Sequence, residues 1–129
     1  GYRLVPLVSL PLAGLLLLLA VGVATPYAAV LALMATFFMV ELNEGPFWAA
    51  TMRVARSDTG AATGVLNTGG NFAGMVSAPV IGALSGAGNW NATFMLGAAF
   101  AFVGAACWLA IDPDRRVATD RRDAPAAAA

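Results

Sequence analysis

Two acids, two amides and two aromatic rings lie in stretches of chain that otherwise hold little polar material. Glu41 and Glu44 stand three residues apart, and Trp48 follows Glu44 by four and Glu41 by seven. At helical spacing they share one face with Phe37 and Gly45. Asn67 and Asn71 are four apart on a second stretch. Such groups can bind a small polar solute, hold a compensating charge or pass a proton. Other chemistries lack their materials. The chain has no His and one cysteine, Cys107, so no metal site and no internal disulfide is expected. No nucleophile–base pair stands out, so neither an enzyme nor a cofactor is expected. Net charge is zero, which gives no basic patch for nucleic acid.

The setting of these residues is apolar. Hydrophobic residues make up 60% of the 129 and charged residues 11%, against about 45–50% and about 25% in an average globular chain. Residues 4–40 and 59–111 carry no charge at all, and 8 of the 14 charged side chains follow Ile111. A soluble surface cannot be built that way, so the chain reads as an integral membrane protein. A bilayer core about 30 Å thick takes about 20 helical residues. Four stretches meet that length, at 4–24, 27–52, 59–84 and 90–111, joined by Thr25-Pro26, a charged loop at 53–58 and a Gly/Asn turn at 85–89. The expected fold is all-α, with four antiparallel transmembrane helices in residues 1–111. The segments do not alternate as barrel strands would.

The basic residues set the orientation. All seven are arginines, at positions 3, 53, 56, 115, 116, 121 and 122. With four spans they fall on one side, and the positive-inside rule makes that side cytoplasmic. The polar, Ala-rich tail at 112–129 is expected to be disordered in the cytoplasm. A start at Gly1 beside an apolar stretch, and an ending in that tail, read as the C-terminal fragment of a longer protein. Composition points to a bacterial inner (plasma) membrane. Trp90 and Trp108, at opposite ends of the fourth stretch, read as interfacial anchors.

Charge inside the membrane is what demands a reason. An ionised acid at mid-helix costs about 2.5–3.5 kcal/mol on insertion scales. Glu44 lies roughly 12 Å from the basic end of its helix, too deep for a short side chain to reach water unaided. Gly45-Pro46 is expected to break the helix there, and broken backbone at membrane depth is tolerated beside a cavity or inside protein. A polar cavity or buried pairing is the favoured reading, and an interfacial position is the alternative. In the third stretch, Gly60, Thr63, Gly64, Gly70, Asn71, Gly74, Ala78 and Gly82 fall within about 60° of Asn67 on a helical wheel. A stripe of small residues reads first as a helix-packing face. Its two amides serve either interhelical hydrogen bonds or a substrate, and Pro79 marks a kink. The first and fourth stretches read as supporting helices.

Glu41-Leu-Asn-Glu-Gly-Pro-Phe-Trp48, Gly64-Val-Leu-Asn-Thr-Gly-Gly-Asn-Phe-Ala-Gly74 and Ser77-Ala-Pro-Val-Ile-Gly82 together resemble the last third of a major facilitator superfamily transporter. Within it they are similar to the anion:cation symporter family, whose penultimate helix has a Gly-x-x-Asn-x-x-x-Asn-x-x-Gly pattern followed by Pro and Gly. The exit Ile111-Asp-Pro-Asp-Arg115 is similar too. The resemblance implies that the four stretches are helices nine to twelve of twelve, with ten and eleven lining a central cavity. It also implies that Trp48 and Asn67 stand where relatives contact substrate, and that Glu44 matches an acid present in a subset of them. Small organic anions carried with protons or sodium are the substrates it implies. Its main coupling acids and its anion-binding Arg belong to an N-terminal half not included here. The two membrane acids without a membrane Arg depart from the pattern.

The expectation is therefore a fragment of a secondary transporter. Phe37 and Trp48 would shape the pocket, Asn67 and Asn71 would hydrogen-bond substrate, and Glu41 or Glu44 would tune charge or carry a proton. Its partners would be the lipid bilayer, a small-molecule substrate and the missing half. The competing expectation is a small four-span accessory or assembly protein that docks through its glycine stripe.

Overall fold

The computed structural model describes residues 3–55 and 58–111. Arg56, the arginines at 115, 116, 121 and 122 and the tail expected to be disordered lie outside the described residues. Among the described residues five helices follow in order: α1 at Leu4–Gly22, α2 at Pro26–Glu41, α3 at Glu44–Ala55, α4 at Thr59–Gly86 and α5 at Trp90–Ala110. No strand occurs among the described residues. Among the described residues three stretches are long and apolar enough to cross a membrane: Leu4–Gly22, Pro26–Ala55 (α2 and α3 together) and Trp90–Ala110. Helix α4 has the length, 28 residues or about 42 Å. Its glycines, threonines and asparagines keep it out of that set.

Local chemistry fixes the ends. Pro26 opens α2 at its first turn, where a missing N–H costs nothing. Helix α4 runs on through Pro79 and ends at Gly86. There the Gly88 N–H donates to Ser85 O at 2.9 Å and the Asn89 N–H to Leu84 O at 3.0 Å, with Gly88 at φ +75°. That pairing is a Schellman ending, which requires a left-handed residue and so favours glycine. Asn89 then caps α5 by accepting from the Ala92 N–H at 3.2 Å.

The packed part of the molecule is α1 against α5 and α2. Its seam repeats every seven residues. Pro6, Ala13 and Ala20 are buried on α1, and Ala98 and Ala105 on α5. A seven-residue repeat keeps one face toward its neighbour along the helix. A Cβ on Gly97 would stand 2.8 Å from Leu17 Cδ2, and one on Gly14 3.1 Å from Phe102 Cζ. Lipid gives helices no hydrophobic reason to associate, so such close approach supplies the contact energy. The seam of small residues thus lies between α1 and α5, which the sequence marked only as supporting helices. On α4 no residue is buried, and Gly60, Gly64, Gly69, Gly70, Gly74 and Gly82 have nothing near their Cβ positions.

Trp108 also departs from expectation. It is 2% exposed, and its ring meets Phe47 edge-on at 5.3 Å between centroids. It is a packing residue between α3 and α5 and not an interfacial anchor. Trp90, 56% exposed, is free to act as one. Beside Trp108, Arg3 donates to the carbonyls of Trp108, at 3.2 Å, and Leu109. A guanidinium at a helix C-terminus meets carbonyls that have no helical donor and the negative end of the dipole. The contact puts the start of α1 at the end of α5.

Candidate functional site

The second apolar stretch is not one bent helix. It is two helices, and the break falls at Leu42 and Asn43, one turn before the Gly45-Pro46 pair that was expected to mark it. Proline explains the offset. Pro46 has no N–H to give the carbonyl four residues back, Leu42, and its ring crowds that carbonyl. The strain therefore appears at 42–43, and Pro46 sits in the first turn of α3, where it is tolerated.

The break separates the two acids. Glu41 is the last residue of α2 and Glu44 the first of α3, so the two acids stand on either side of the break. Each acid has its own aromatic surroundings. Glu41 lines an open hollow of about 590 Å³ with Val30, Leu33, Met34, Phe37 and Phe38. Phe37 is 66% exposed there. Glu44 accepts a hydrogen bond from the Trp48 indole, Nε1 to Oε2 at 2.8 Å. That bond uses the four-residue spacing read from the sequence and fixes indole and carboxylate relative to each other.

The amides form a third group. Asn71 donates its side-chain amide to the backbone carbonyl of Asn67 at 2.9 Å, and both side chains are exposed on α4. Neither bonds to another helix. Among the described residues no hydrogen bond joins the α2, α3 and α4 groups. Phe37, Glu41, Glu44, Asn67 and Asn71 are all exposed and Trp48 half-exposed. No group of three or more His, Cys, Asp and Glu side chains comes together among the described residues, and Cys107 is a free, exposed thiol.

One polar residue at the break escaped the sequence reading. Asn43 is 4% exposed and Ser9 of α1 is 3% exposed, and the Ser9 hydroxyl donates to Asn43 Oδ1 at 3.0 Å. A buried polar group without partners costs about 1–3 kcal/mol in proteins, and more in hydrocarbon. Asn43 has its partners. The signal available in the sequence was an amide three residues before a proline inside an apolar helix, in the turn whose regular bonding the proline disturbs.

The same bond gives the register of the two helices. Ser9 lies opposite Asn43, so the chain back from Ser9 to Arg3 and the chain on from Asn43 to Arg53 run toward the same end. The two described arginines therefore share an end with the C-terminus of α5.

Comparison with known proteins agrees with this architecture. The model of the Major Facilitator Superfamily matches residues 1–128, and the chain belongs to that superfamily, whose members are multi-pass membrane transporters and not enzymes. Over 86 residues it is 38% identical to the "Probable sulfoacetate transporter SauU" of Cupriavidus necator. That match covers 66% of this chain and 20% of the relative, so the chain spans about a fifth of the relative's length. No solved structure matches it.

Proposed function

We propose that this chain supplies the last four membrane-spanning helices of a secondary transporter that moves a small organic solute by alternating access. In this reading α1, α2 with α3, α4 and α5 are helices nine to twelve of twelve. Substrate sits near the midplane between this part and the N-terminal half. Both ends face the cytoplasm of a bacterial cell, and the common end of Arg3 and Arg53 supports that orientation under the positive-inside rule.

The observation that carries the proposal is the placement of the polar side chains. Phe37, Glu41, Glu44, Asn67 and Asn71 are exposed and Trp48 half-exposed. The α1–α5 seam is apolar, with glycines set against Leu10, Leu17 and Phe102. A helix facing lipid would carry neither carboxylates nor paired amides. The uncovered surfaces of α2, α3 and α4 therefore suit an aqueous cavity shared with the missing half. Phe37 and Trp48 shape its wall, Asn67 and Asn71 offer hydrogen bonds, and Glu41 or Glu44 adjusts its charge or carries a proton.

The substrate we favour is a small organic anion, coupled to H⁺ or Na⁺, because the relative is named for transport of sulfoacetate. Two acids repel an anion, so its countercharge must come from the other half. The superfamily match along nearly the whole chain counts against a separate accessory protein.

Uptake by the full-length carrier tests the reading. Glu44→Gln and Asn67→Ala should each lower uptake about tenfold, the scale of one charge-assisted hydrogen bond, at unchanged abundance in the membrane. Wild-type uptake in both variants would remove the site.

A further inference from the structure

We propose that Asn43 and Ser9 are positioning residues: together they clamp the break between α2 and α3 and so set how the Phe37–Glu41 group stands relative to the Glu44–Trp48 pair. The inference rests on the transporter reading for its functional consequence, but its geometry stands on this chain alone. Pro46 withdraws a donor from the turn that precedes it. The Asn43 N–H turns to Val40 O at 3.0 Å, a tighter bond than the helical one, and leaves Met39 O without its regular partner. The Asn43 side chain fills the gap. Its Nδ2 donates to Met39 O at 2.9 Å and to Val40 O at 3.0 Å.

Its remaining polar atom, Oδ1, takes the Ser9 hydroxyl at 3.0 Å. One side chain therefore closes the end of α2 and ties it to α1, which is itself held along the α5 seam. Glu41 lies two residues before the clamp and Glu44 one after. Any change in the bend moves the acids relative to each other. Both clamp residues are buried, so water offers no substitute hydrogen bond if one is lost. Ser9→Ala can be accommodated by size, and the Asn43 amide would still cap α2, but the tie to α1 goes.

The test uses the full-length carrier in a cysteine-free background, with spin labels at Leu31→Cys on α2 and Met52→Cys on α3, both exposed. The labels stand about 30 Å apart along the helices. The unsubstituted clamp should give one narrow distance distribution. Ser9→Ala and Asn43→Ala should broaden or shift it, and Ser9→Thr, which keeps the hydroxyl, should restore it. The same alanine variants should raise the KM for uptake about threefold to tenfold, the scale of one or two neutral hydrogen bonds, while Ser9→Thr stays near the unsubstituted value. Unchanged distances in both alanine variants overturn the clamp, and a broadened distribution with an unchanged KM overturns its positioning role in transport. Wild-type uptake in both Glu44→Gln and Asn67→Ala overturns the site reading instead, and the distances still decide whether the clamp exists.

Discussion

The α1–α5 seam and the α4 face are both built of small residues, and they meet different surroundings. On the seam a methyl group added at Gly97 or Gly14 would meet Leu17 or Phe102. On α4 a methyl group added at Gly64, Gly70 or Gly74 would meet nothing within 4 Å. Small residues in a membrane helix mean close approach of a neighbour, so the difference lies in whether this chain contains the neighbour. For the seam it does. On the α4 stripe no described residue comes close to the glycines, and the amides set into it make that same uncovered surface polar. One part of the molecule is a closed scaffold, and the other is the uncovered surface on which the proposed site stands.

Paired substitutions can break that contrast. The largest effect is expected at the two tryptophans. Trp108→Ala empties a buried position and should cost about 3–5 kcal/mol, read as a lower melting temperature and reduced abundance of the purified carrier. Trp48→Ala removes a half-exposed ring and should leave melting nearly unchanged while uptake falls. If the two variants lose stability equally, the division into scaffold and site fails.

The next pair tests the glycines. Gly97→Leu forces a branched side chain against Leu17 and should destabilise by about 1–3 kcal/mol. Gly74→Leu should be better tolerated in thermal melts, with its loss appearing in uptake. The smallest effect belongs to Arg3. Arg3→Ala removes a cation from the C-terminus of α5, worth about 0.3–1 kcal/mol, and Arg3→Lys should recover part of it. A melting shift as large as that of Trp108→Ala would mean the guanidinium holds more than two carbonyls.

Much of this was legible in the sequence because membrane helices announce themselves by length and by the absence of charge. The polar residues announced themselves by standing inside those stretches, and the Glu44–Trp48 bond follows from spacing alone. What was not legible depended on contacts between distant parts of the chain. The seven-residue rhythm of Pro6, Ala13 and Ala20 is present in the sequence, but the run of leucines around it hides which face packs. Trp108 at a helix end looks like an anchor until Phe47 is brought against it by the fold. Asn43 lay between two acids that drew the chemistry, and its role appears only once the proline's effect is traced back a full turn. The glycine stripe of α4 was legible as a pattern, but no described residue packs against it.

The central claim is that the uncovered side of α3 and α4 faces water in the working carrier. Single cysteines at positions 44 and 67 of the full-length protein, otherwise cysteine-free, can be challenged with a membrane-impermeant thiol reagent from each side. Both positions should react in at least one access state and be protected by transported substrate. Positions that stay unreactive in every state would contradict the claim, because they would then face lipid or packed protein.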